Sequence, residues 1–165
     1  MSESDATQFR DNGAMGALLD EYEKAINELI FVVKDISPAQ LPIIVDHQTK
    51  DEDCRSIQTI LTHVIRAGYA YATYIRNHQG EKLTFQKPDL LDSSKKYIVA
   101  FKEMFQFTEK VFADYPNITL EEKDSSLKML VSWGQLYDTE QLMEHAIVHI
   151  LRHRRQIERF LMKST

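Results

Sequence analysis

One thiol is all this chain has. Cys54 is the single cysteine among 165 residues, so no disulfide can close within it. Nothing marks Cys54 as a nucleophile, and it reads as structural or incidental. Glycine and proline are scarce, at five and four, and most lie between long periodic segments, as in a helical protein. No run approaches the 18 or so apolar residues of a membrane-spanning helix, so no membrane is expected. The opening MSESDATQFRDNG is polar and acidic and lacks the basic start and apolar stretch of a signal peptide. Together these absences point to the cytoplasm. A basic stripe is missing too: the net charge is −5, which argues against nucleic acid as a partner. The local cluster Arg152, Arg154, Arg155 and Arg159 is interspersed with acidic residues and reads as a solvated helix face rather than a phosphate patch.

What is present is the composition of one ordinary domain with a real core, 43% hydrophobic and 27% charged. Residues 1–13 read as a loose tail. A first helix is expected from about Ala14 to Lys34, with Leu18, Leu19, Tyr22, Ile26, Leu29 and Val33 at helical spacing. It stops before Ser37-Pro38, because the residue preceding proline avoids the helical region. Ser56 is a good N-cap for a second helix reaching about Asn77, which Gly80 closes. Asp92 is expected to cap a third, from about Ser93 to Ala113. A loop to Leu136 holds the single tryptophan, Trp133, and 127–133 is a candidate extended piece. Asp138 with Gln141 three residues on resembles a capping box, opening a fourth helix that runs to about Met162. Four long helices with long connections predict an all-α four-helix bundle spanning residues 1–165 as a single domain.

The histidines carry the functional signal. His145, His149 and His153 follow at four-residue spacing, so all three project from one side of the fourth helix. His149 and His153 sit in its apolar stripe with Leu142, Ala146 and Phe160, where leucine would cost nothing; His145 and Gln156 lie toward the edge. On the second helix His63 shares an apolar face with Ile60, Ala67, Ala70 and Tyr74, and the two alanines leave room beside it. A buried imidazole must satisfy two ring nitrogens, and one left unpaired costs about 1–3 kcal/mol. A core histidine can meet that need with a carbonyl or a tyrosine, and Tyr71, Tyr74 and Tyr137 are available. Three inward histidines on two helices are better served by one divalent ion, with ligands His63, His149 and His153. His145 then belongs to the surroundings of the site, and His47 and His78 to the surface.

The segments Ser56-Ile57-Gln58-Thr59-Ile60-Leu61-Thr62-His63 and His149-Ile150-Leu151-Arg152-His153-Arg154-Arg155-Gln156 resemble the second- and fourth-helix motifs of the DinB-like (DinB/YfiT-like) metalloenzymes. In that family two histidines four apart are followed by Arg-Gly-Gln; Arg155 stands here where the glycine is usual. The resemblance implies an up-down-down-up bundle. It also implies a nickel or zinc ion held by one histidine of helix two and two of helix four, which carry over as His63, His149 and His153. Relatives include metal-dependent hydrolases and thiol-dependent transferases, so a small-molecule substrate or a low-molecular-weight thiol is the expected partner. Non-catalytic metal binding, or a purely structural bundle, is the alternative.

A homodimer is also expected. Ile147 and Leu151 on helix four, and Leu61, Ile65 and Tyr69 on helix two, lie away from the histidines. A helix apolar on both sides needs a second cover.

Overall fold

The computed structural model describes residues 9–163. Its helices are α1 (Gly13–Val33), α2 (Ile57–His78), α3 (Ser94–Asp114) and α4 (Thr139–Lys163), with a two-stranded antiparallel hairpin, β1 (Met129–Leu130) and β2 (Leu136–Tyr137), ahead of α4. Helix starts follow the capping chemistry. The Ser56 hydroxyl accepts from the Thr59 amide and the Thr59 hydroxyl accepts from the Ser56 amide, a reciprocal box. At α4 the Gln141 amide donates to Asp138 Oδ1 at 2.8 Å and the Asp138 amide to Gln141 Oε1 at 3.1 Å. For α3 the cap lies one residue later than expected. Ser93 accepts from the Lys96 amide, while Asp92 pairs with the Lys96 ammonium instead.

Contacts between helix ends give the directions. The starts of α2 and α3 meet through the Gln58 side chain, which donates to the Leu91 carbonyl. Their far ends meet at Arg76, buried between Glu81 and Asp114 at 2.9 Å each. α2 and α3 are therefore parallel, and the connection 79–93 must run back along the bundle. The Ser94 hydroxyl at the start of α3 donates to the Ile36 carbonyl just past the end of α1, so α1 runs antiparallel to α3, and Arg154 of α4 pairs with Glu28 of α1. Gln156, far along α4, reaches Cys54 ahead of α2. α1 and α4 are therefore parallel to each other and antiparallel to the other two, the up-down-down-up order.

One apolar cluster joins the four helices, including Tyr22, Leu29, Ile60, Phe101, Met104, Leu142 and Ile150. α2 approaches α3 so closely at Gly68 that an added Cβ would lie 2.0 Å from Met104 Sδ. Met104 is fully buried, so only glycine fits there.

The 114–138 connection holds more order than the sequence suggests. A 3₁₀ turn, Ser125–Leu127, leads into the hairpin, and Gly134 at φ 85° makes the reversal. Arg10 is not loose: it pairs with Asp20, Glu23 and Glu109. The rest of the expected tail, residues 1–8, lies outside the described residues. Leu61 and Ile65, offered above as a second apolar face, are buried within this one chain, and Tyr69 packs on Phe85 and Phe107. On α4, Val148 and Leu151 are exposed. No helix among the described residues is long and apolar enough to cross a membrane.

Candidate metal centre

α2 and α4 pack face to face so that His63 and the His149/His153 pair meet. His63 Nε2 lies 2.9 Å from His149 Nε2, and His153 Nε2 lies 3.2 Å from the same atom. One nitrogen from each of the three lies within 4.8 Å of the others. A tetrahedral site with zinc–nitrogen bonds of about 2.0–2.1 Å spaces its donors roughly 3.3 Å apart. The three residues named from the helical faces are thus the three the fold brings together. His47 and His78 are exposed and are not part of the group.

The outer ring nitrogens determine what the inner ones can do. His153 Nδ1 is 3.0 Å from Gln156 Oε1. The Gln156 amide nitrogen faces the Cys54 carbonyl at 3.5 Å, which orients the carboxamide with its oxygen toward the histidine. An acceptor there fixes the proton on Nδ1 and leaves a lone pair on Nε2. His63 Nδ1 is flanked by Asp53 Oδ2 at 3.4 Å and by Arg66 Nη2 at 3.2 Å, the latter bound to the same carboxylate at 2.6 Å. The carboxylate favours the same tautomer for His63, while Arg66, a donor only, competes with it for that nitrogen. Lone pairs then converge on the space beside His149 Nε2. With His149 Nε2 also unprotonated, three lone pairs face one another and repel, and a cation between them resolves the conflict. The donor set therefore fits a divalent ion.

Burial keeps these rings neutral, as ligands must be. Desolvation, followed by the neighbouring His153, pushes His149 down to about 2. Desolvation and then His63 push His153 down to about 4. His63 is lowered as well, by burial first and by Arg66 second.

Beside the cluster a cavity of about 670 Å³ opens between α2, α4, the 79–93 connection and the hairpin. Ala67 and Ala70 leave the room, as expected from their place next to His63. Its wall is aromatic. Trp133 stacks on His145 with centroids 5.4 Å apart and meets Tyr71 and Tyr74 edge-on at 6.2 and 6.3 Å. The Tyr74 hydroxyl accepts from the Ser132 amide at 2.9 Å, which ties the hairpin to α2. His145 is a wall residue, its Nδ1 3.2 Å from the Tyr137 hydroxyl.

A sequence model of the DinB family matches residues 7–163. The chain belongs to the DinB family. No curated protein matches it. Membership agrees with the four-helix order and with a three-histidine group able to hold a metal ion. Three residues of this DinB site were not named in advance: Asp53, Arg66 and Trp133. Arg66 follows His63 by three residues and so shares its helix face. Gln156 bears the same relation to His153, a signal that its stripe-edge position did not exploit. Asp53 and Trp133 come from non-helical segments and carried no periodic signal.

Proposed function

We propose that this DinB-family chain is a metal-dependent enzyme, a hydrolase or a low-molecular-weight-thiol transferase, whose divalent ion is held by His63, His149 and His153. The observation that carries the reading is the convergence of three neutral imidazoles at one end of a cavity large enough for a small molecule. Three protein ligands rather than four leave a coordination position for a reactant. Zinc or nickel would supply a Lewis acid that lowers the pKa of a water or thiol sharing the site. The protein's own part is positioning. Gln156 and Asp53 hold the outer nitrogens of His153 and His63. Tyr71 packs edge-on against His149, at 5.9 Å, and keeps that flank dry.

Metal analysis of protein purified without a polyhistidine tag tests this reading. One equivalent of zinc or nickel per chain is expected, lost in His149→Ala and His153→Ala and kept in His78→Ala. Cobalt-substituted protein should then change its visible spectrum on titration with a small thiol or an inhibitory anion. Metal-free protein with unchanged folding in all three variants would reduce the chain to a structural bundle. Bound metal with no response to any added ligand would make the ion structural.

A further inference from the structure

The cavity wall has an unusual charge inventory. No aspartate, glutamate or lysine is among the described residues that line it, and apart from the histidines its one ionisable charge is Arg66. Arg66 uses Nη2 on Asp53, and its remaining donors have no protein partner among the described residues. The rest of the wall away from the metal end is mainly aromatic and apolar, with Thr73, Asn77 and Ser132 as its polar members. Trp133, Tyr71 and Tyr74 meet edge-to-face on one side, and Phe85, stacked on Tyr69 at 5.2 Å, closes another.

Each feature excludes a class of occupant. A cationic ligand would enter next to Arg66 and, once loaded, a divalent ion, and the neighbouring carboxylate, Asp53, is already engaged by Arg66 and His63; burying an unpaired charge is costly. A small hydrophilic ligand would leave the aromatic surfaces uncovered. A planar ring can cover these faces in the offset or edge-to-face arrangements that aromatic pairs prefer. A carboxylate on that ring can take the free guanidinium donors.

We propose that the cavity binds an aromatic carboxylate, its ring among Trp133, Tyr71, Tyr74 and Phe85 and its anionic end toward Arg66 and the histidines. This assigns a substrate class to the site and rests on the reading of that site as a metal centre. The volume of about 670 Å³ is in the range of sites for ligands larger than a single ring, so one substituted ring enters without rearrangement.

Trp133 is the single tryptophan in the chain, so intrinsic fluorescence reads this wall alone. Zinc-loaded and zinc-free protein would be titrated with benzoate, benzylammonium and acetate, and zinc stoichiometry measured on the same samples. Benzoate should give a saturable change, at least about tenfold tighter than benzylammonium, and acetate should give none. Ala70→Phe, which fills the cavity, should weaken benzoate by at least about tenfold while keeping its zinc. Equal or tighter binding of benzylammonium, or no saturable response to benzoate in zinc-loaded protein, overturns the proposal and leaves the metal reading standing. Benzoate binding by protein that takes up no zinc overturns the metal reading and supports the aromatic pocket. If Ala70→Phe does not fold, the ranking of the three ligands on the unsubstituted chain decides.

Discussion

Replacing Gln156 with leucine keeps the bulk of the side chain and removes the oxygen that faces His153 Nδ1. In the metal-free protein the loss is small, because His153 can move its proton to Nε2 and donate to His149 Nε2, 3.2 Å away. With an ion bound that escape is closed: Nε2 is a ligand, and the proton must sit on Nδ1 against a hydrocarbon. His153 is only 3% exposed, and the leucine itself would occupy the half-buried space of the glutamine, which leaves little room for a replacement water. An unsatisfied buried donor costs about 1–3 kcal/mol, and nearly all of it falls on the metal-bound state. Zinc affinity should therefore drop by about 100-fold, or roughly 2.7 kcal/mol, at the upper end of what losing such a partner does. Asp53→Ala is the contrasting case. Its carboxylate stands 3.4 Å from His63 Nδ1 and is 27% exposed, so water can substitute and the loss should be about tenfold. Competition against a chromophoric zinc chelator measures both, with circular dichroism to confirm folding. Gln156→Glu, which keeps an acceptor oxygen, should restore most of the affinity. A folded Gln156→Leu protein that binds zinc within about threefold of the parent would refute the tautomer argument.

Three further outcomes follow from the same structure. Zinc at 100 times its dissociation constant should stabilise the chain by about 2.7 kcal/mol, raising Tm by roughly 5–10 °C; thermal scans of His149→Ala should show no such shift. Cys54, pushed up to about 11 by burial and then by Asp51, stays protonated near neutrality. Iodoacetamide at pH 8 should alkylate it at least about tenfold more slowly than free cysteine, and equal rates would remove burial as the explanation. We also propose a homodimer, now resting on the exposed Val148 and Leu151 of α4. Light scattering should give about twice 19.2 kDa, falling to the monomer in Val148→Asp/Leu151→Asp; a monomeric parent protein would end that proposal.

The helices could be read in advance because each carries an apolar stripe at period 3.6, and α2 and α4 open with a cap that closes on itself. Ser56 and Asp138 stand where such caps were read. The histidine cluster was legible for a related reason: His63, His149 and His153 sit where an apolar face asks for leucine, and periodicity exposes the misfit. The hairpin was not legible, because two-residue strands carry no period, and its shape depends on Tyr74 holding Ser132 across 58 residues. Asp53 was hidden for the same reason, since it reaches His63 only after the segment before α2 has folded into its 3₁₀ turn (Glu52–Cys54). The second apolar face of α2 misled. Leu61 and Ile65 needed a cover, and helix packing within the chain supplies it.

The return segment 79–93 and the hairpin have a consequence for how such a protein diversifies. The three histidines stand on helices whose positions are set by the common core, whereas Leu83, Phe85, Ser132 and Trp133 come from connections outside it. Connections tolerate replacement and insertion far better than packed helices do. Lineages, or protein engineers, can therefore exchange the outer wall of the cavity without disturbing the histidine cluster. Grafting a different 82–86 or 132–135 segment should change which molecules enter while the histidine geometry is kept.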